Sequence, residues 1–487
     1  MEDDALMAPR TVTRIEYAAV ALALVAGIAH RAIFGWYSPF WLDEAYTGVI
    51  ASQPDIASLI DWCRHELSGP FFYATIWLWE KIAGDGDLAL RLPSLVASLG
   101  AVALIAIWGG ADRRERRVWA ALTMVWLPGL VFVAQARPQA LLFLLATAQT
   151  IAFLRCVEAR SSRWLTLWSA IGALMLLTHI YAAAIIGLQG LCLLWTFGDR
   201  PRALWPSIVI FAVVAAWLPF QLAFLLDFLK PGMAWYPVSG PAEAFKLPYH
   251  LFGVNVMAFA VVAIVAVVLA RQIADRRSAG TRLPYSRGEA MVMLSGLIAA
   301  VAVFGFGFLR PSFTPRYLIP YMPALLFGLT LILCRTRFLA GLLPSILLVA
   351  WAGAAAQNAI SYAGVEEQQT LYPLEFQRGS DWLMAHDARR VMFVWDNPAS
   401  ALSGERYQTQ VGAFFFRRAG YAAEVRAVHL DHAGQSPARL AQLARARRAA
   451  ILWVGGSDYP AGLRGIADLV CRDFGAGPSK SIACVRR

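Results

Sequence analysis

Two adjacent carboxylates, Asp43 and Glu44, follow the aromatic stretch WYSPFWL just beyond the first long apolar run of the chain. A carboxylate beside hydrocarbon is costly unless it reaches water or a partner, so a pair placed there points to chemistry. Such a group can act as a general base, drawing a proton from an attacking hydroxyl. A structural role is equally open. DEAYTGVIAS reads as a helix, and acids suit a helix's first turn.

Cations recur in neighbouring loops. Arg137 sits in the short turn AQARPQ, and Arg310 and Arg316 share FLRPSFTPRYLIP. A guanidinium there must find an anion, and it grips phosphate oxygens in bidentate fashion. For Arg137 a salt bridge to Asp43 or Glu44 is the structural alternative; for Arg310 and Arg316 it is a contact with anionic headgroups. His65, in RHELSGPFFY, is placed to bind a phosphate or polarise an acceptor, or else is an interfacial ring. His179 and Tyr181, in THIY, are substrate-binding candidates or members of an aromatic belt. Lys230, Lys246 and His250 are weaker candidates in a Pro-rich loop. Acids and cations together suit a phosphate leaving group whose charge grows in the transition state, with a carboxylate to deprotonate the nucleophile.

The elements that must position these groups are membrane helices. The 487 residues are 59% hydrophobic and 15% charged, with a mean hydropathy of +0.54, whereas soluble domains run near 45–50% apolar and about 25% charged. Blocks of about 18 or more apolar residues are long enough to cross hydrocarbon. The expected fold is an α-helical polytopic membrane protein of about 11 transmembrane helices, with a small C-terminal α/β extracytoplasmic domain. The spans are expected near 15–33, 93–110, 118–133, 139–156, 164–177, 181–197, 204–222, 251–270, 290–308, 317–334 and 338–356.

The net charge of +11 resides in short clusters between spans, among them Arg113-Arg114 with Arg116-Arg117, and Arg335 with Arg337. With the N-terminus inside, these clusters become cytoplasmic, as positive-inside topology requires. No basic face with interleaved aromatics is present, which argues against a nucleic-acid partner. The N-terminus lacks the parts of a cleavable signal, so the first span is expected to stay as an anchor.

Residues 1–356 are thus expected to form a transmembrane domain with a first outer loop at about 36–91, and 357–487 a soluble outer domain. In the first loop, IASLIDWCRHEL and FFYATIWLWEKIAG read as interfacial helices. In the tail, VMFVWD and AAILWV read as strands and PARLAQLARARR as an amphipathic helix. Cys471 and Cys484, flanking a Gly-Pro turn, are disulfide candidates in an oxidising compartment. The alternative is two free core thiols.

The chain resembles the membrane glycosyltransferases of the GT-C class, in particular the group of protein O-mannosyltransferases, the lipid A aminoarabinose transferase and rhizobial galacturonosyltransferases of lipopolysaccharide. The resemblance rests on WLDEAYTG, on ELSGPFFYATIWLWEKIAGDGDLALRLPSLVAS, and on QARPQALLFLLA, THIYAA and PRYLIPYMPALL, in that order from about residue 36 to 330. It implies transfer of a sugar from a polyprenyl-phosphate donor to a glycan, lipid or protein acceptor on the outer face of the cytoplasmic membrane. It makes Asp43 the base, with Glu44 beside it, and places Arg137 and Arg316 near the donor. The group's His-Pro-Pro motif stands here as Ser68-Gly69-Pro70, which withdraws that support from His65. Pro138-Gln139 replaces an acidic position of some relatives.

The function expected is therefore that of a lipid-linked sugar transferase whose donor is the polyprenyl-phosphate sugar and whose partners include membrane lipids. A transporter or flippase is the alternative, although neither repeated halves nor matched broken spans appear; a scaffolding subunit would leave the acids and outer arginines without a task. No cluster with metal-ligand spacing is present, so no metal site is expected; a divalent cation is compatible with the chemistry but has no sequence support.

Overall fold

Backbone polar groups in hydrocarbon must be satisfied within the segment itself, so the apolar runs fold as helices. A computed structural model describes residues 9–37, 40–110, 112–230, 238–279, 283–336, 342–363, 375–395, 404–429, 437–455, 459–474 and 480–487. Pro231, Gly232 and Pro237 of the Pro-rich loop, Asp396 of VMFVWD, the start of the last expected span and the Gly-Pro turn before Cys484 lie outside them.

Seven described helices are long and apolar enough to cross a membrane: Thr11–Trp36, Asp87–Trp108, Gln139–Ala159, Val256–Arg277, Arg287–Phe306, Pro315–Cys334 and Leu343–Ser361. The pair Pro201–Ala215 and Leu218–Phe228, bent by 57°, makes an eighth if counted as one span. The chain is a multi-pass membrane protein. The other three expected spans are shorter helices. Residues 118–133 divide into Arg113–Met124 and Leu127–Phe132. Pro128, at the start of the second piece, has no N–H with which to continue the first. Residues 164–177 and 181–197 form Ser162–Leu176, of 15 residues, and Ile180–Thr196, below the roughly 20 residues a span needs.

The chain forms two compact units. The first comprises Met1–Gly35, Arg91–Pro219 and Val238–Ser361. Its innermost helix is Pro315–Cys334, buried over 94% of its apolar window, against 17% for Val256–Arg277. That helix opens as a 3₁₀ turn, Pro315–Tyr321, before continuing as α-helix from Met322. Just past its other end, Arg335 reaches Glu115 and Glu289, each at 2.6 Å, and Arg114 meets Glu16 at 2.7 Å.

The second unit comprises Trp36–Leu90, Phe220–Pro237 and Tyr362–Arg487. Its first segment carries three helices, Leu42–Ala51, Ile56–Cys63 and Pro70–Ala83. Asp55 caps the second by accepting from the Ser58 amide at 2.8 Å, and Pro70 starts the third, where its missing N–H costs nothing. The tail holds a five-stranded sheet in the order β2-β1-β3-β5-β4, with β1 Arg390–Trp395, β2 Glu424–His429, β3 Ala450–Gly455, β4 Leu469–Phe474 and β5 Lys480–Arg486. β1 pairs in parallel with β2 and β3, and β5 runs antiparallel to β3 and β4. The helix Pro437–Arg447 covers one face, burying Leu440 and Ala444 with Met392, Ile451 and Trp453. Cys471 and Cys484 are register partners in β4 and β5 and are joined by a disulfide.

Candidate active site

In the second unit, Asp43 and Glu44 occupy the first turn of Leu42–Ala51, where the amide end of the helix favours negative charge. The helix separates the two acids. Glu44 is fully buried and accepts from the Trp41 amide at 3.4 Å, capping its own helix. Asp43 is half-buried and retains access to solvent. Of the pair, Asp43 is the less buried residue.

The helix is held by the tail. The Tyr46 hydroxyl donates to Oε1 of Gln408 at 2.9 Å. Nε2 of Gln53 and Nε1 of Trp62 both donate to Oε1 of Gln410, at 3.1 and 3.2 Å. Gly48 is small because the Phe414 ring lies against it: a Cβ there would come within 2.3 Å of the ring. His65 turns its Nδ1 to the Asp61 carbonyl at 2.8 Å and lies 4.7 Å from the ring of Tyr407. The Tyr407 hydroxyl in turn donates to Asp61 at 2.7 Å.

In the first unit, two 3₁₀ turns bring together residues far apart in sequence. His179 caps the turn Ile180–Ala182, its Nδ1 accepting from the Tyr181 amide at 3.4 Å. The Tyr181 ring stacks on Tyr317, with centroids 4.0 Å apart, and the Tyr321 hydroxyl donates to the Tyr181 carbonyl at 2.5 Å. The Tyr181 hydroxyl donates to the Ser312 carbonyl. The His179 ring lies 5.5 Å from that of Tyr181 and 5.4 Å from that of Tyr317. Burial above all, with the charges of Arg316 and Arg137, holds the His179 imidazole down at about 3. The imidazole is therefore neutral at ordinary pH. With Nδ1 accepting, its proton resides on Nε2, and the ring is a hydrogen-bond donor.

Arg137 is buried, and its carbonyl accepts from Ser94 at 3.4 Å. Arg316 is half-buried, 5.8 Å from the Tyr317 ring. The first unit thus gathers Arg137, Arg316, His179 and Tyr181. Arg310 is exposed on the loop that leads to Arg316. His250 pairs with Glu243 at 3.6 Å, as does Lys246 at 2.5 Å, and Lys230 pairs with Asp227 at 2.5 Å. Tyr317, Tyr321 and Gln408 were not singled out from the sequence; Tyr317 and Tyr321 lie within PRYLIPY, but no local pattern marks them as partners of THIY. No group of three or more His, Cys, Asp or Glu side chains among the described residues is placed to hold a metal ion.

Among solved structures, the chain is similar to ArnT from Cupriavidus metallidurans in the apo state, with a TM-score of 0.57 and 14% identity, over 96% of this chain and 97% of that one. The chain has the ArnT fold. The same ArnT bound to undecaprenyl phosphate matches with a TM-score of 0.50 and 14% identity, over 98% of each chain. The arabinofuranosyltransferase AftD from mycobacteria aligns with a TM-score of 0.47 and 14% identity, over 100% of this chain and 42% of that one. No protein-family model and no curated protein matches the sequence. The ArnT likeness is thus one of fold, and it meets the GT-C resemblance read from WLDEAYTG and the motifs that follow it.

Proposed function

We propose that this chain is a membrane glycosyltransferase that moves a sugar from a polyprenyl-phosphate donor to an acceptor hydroxyl on the outer face of the cytoplasmic membrane. The observation that carries the reading is the ArnT fold over nearly the whole chain, in a family of structures that includes one bound to undecaprenyl phosphate. The clusters described above support it.

In this mechanism Asp43 takes the proton of the acceptor hydroxyl, and the oxygen attacks the anomeric carbon of the donor. The bond from that carbon to the phosphate oxygen breaks, and polyprenyl phosphate departs. Arg137 and Arg316 hold the growing phosphate charge, and the neutral His179 adds an N–H donor without adding charge to be desolvated. Glu44 is the capping neighbour that fixes the turn carrying Asp43. The N-terminus lies in the cytoplasm, and the first outer loop and tail lie outside.

The test is transfer of a labelled sugar by the purified chain in proteoliposomes loaded with a polyprenyl-phosphate sugar. Asp43→Asn lowers transfer on the order of 100- to 10,000-fold while membrane insertion and donor binding persist. Transfer at the parent rate in that variant overturns the mechanism.

A further inference from the structure

The acidic helix Leu42–Ala51 is short, and a helix of its 10 residues has little stability alone. Its position depends on what it packs against, and the tail supplies three fixings along its length. Near its start, Tyr46 is one helical turn beyond Asp43 and so lies on a neighbouring face. Its hydroxyl is bound by both polar atoms of Gln408, Oε1 at 2.9 Å and Nε2 at 2.7 Å. At its middle, the Phe414 ring fills the space over Gly48. Past its end, Gln53 is tied to Gln410, which also receives Trp62 from the next helix.

Gln408 is 4% exposed and Gln53 6%. Buried amides that lose their partners cost more than the bonds gain, so these contacts specify one seating of the helix. A tail serving only as a separate binding module would have no need to bury glutamines against the acid-bearing turn.

We infer that the tail helix Glu405–Gly412 is a brace that sets the position of Asp43, with Gln408 and Gln410 as positioning residues. The inference rests on the transferase reading for its kinetic consequence, because a base displaced by about 1 Å loses on the order of 100-fold in rate. Its structural content stands apart from that reading.

The experiment uses the full chain in nanodiscs, with Gln408→Leu, Gln410→Leu, Tyr46→Phe, the pair Tyr46→Phe with Gln408→Leu, and Gln408→Glu. Two readouts are taken: transfer kinetics, and amide hydrogen exchange across Leu42–Ala51. In both leucine variants kcat falls on the order of 10- to 100-fold, while KM for the polyprenyl-phosphate sugar stays within about twofold. Amide exchange across the acidic helix rises in both. The double variant is no worse than the worse single one, as expected for one shared contact. Gln408→Glu, which still accepts from the Tyr46 hydroxyl, recovers most of the rate. Parent kcat in both leucine variants overturns the brace, and so does a fall in kcat with unchanged amide exchange. A parent chain that transfers no sugar sinks the transferase reading instead, and the exchange measurement still decides the brace.

Discussion

The phenol ring of Tyr181 lies flat on that of Tyr317, with centroids 4.0 Å apart and planes within 14° of parallel. The two residues are far apart in sequence, and their stack joins the turn after His179 to the turn that carries Arg316. The imidazole and the two tyrosines therefore pack as one assembly, with Arg316 on the same turn as Tyr317.

His179 gives the clearest dependence on pH. Its folded value of about 3 lies below the ordinary 6.5, so between those values the unfolded chain binds the extra proton. Stability from this residue is full above pH 6.5 and is lost as pH falls toward 3. His179→Gln should flatten the decline of Tm between pH 6.5 and 4, as followed by intrinsic fluorescence. Its transfer rate should fall, but no limb near pH 6.5 should disappear from the rate profile, because the imidazole is neutral throughout. A parent chain whose Tm is level across that range contradicts this.

The two neighbouring acids should separate on substitution. Glu44→Ala removes the acceptor for the Trp41 amide and should cost about 1 kcal/mol. Glu44→Gln keeps an acceptor and should cost less. Asp43→Asn should leave Tm nearly unchanged and lower transfer on the order of 100- to 10,000-fold. Thermal melts beside single-turnover transfer assays check the contrast, and equal kinetic damage from both acids would refute it.

Gly48 should tolerate no side chain while Phe414 remains. Gly48→Ala should destabilise by about 1–3 kcal/mol through overpacking. Combining it with Phe414→Leu should recover part of the loss, since the smaller side chain leaves room for the methyl group. Denaturant titration of the three variants gives the answer.

Cys471 and Cys484 should be resistant to alkylation until a reductant is added, with a mass gain appearing only afterwards. Cys471→Ser with Cys484→Ser should lower stability of the tail by about 3 kcal/mol if loop closure dominates. Free thiols in unreduced protein, seen by intact mass after alkylation, would count against both.

Much of this architecture is legible in the sequence because hydropathy and strand composition are local signals. Thr11–Trp36 and Leu343–Ser361 follow from unbroken apolar runs. β1 and β3 follow from VMFVW and AILWV. The run 118–133 misleads because hydropathy does not register Pro128, which divides it. β2 is an edge strand whose exposed positions carry Glu424 and Arg426, so its apolar content is too low to stand out. Asp43 is visible because an acid after an apolar span is anomalous. Gln408 is invisible because nothing in ERYQTQVG tells which amide will meet a tyrosine 362 residues away. Tyr317 is hidden for the same reason, since aromatic rings abound at the ends of spans.

Arg335 closes both of its edges on acids, Glu115 on one helix and Glu289 on another. Under the proposed orientation a topology rule counts that arginine as positive charge kept inside, although in the folded chain two acids neutralise it. The same side chain is thus an address while the chain is being made and a fastening once it is folded. Replacing it with lysine would keep the address and loosen the fastening, because an ammonium cannot hold two carboxylates edge-on.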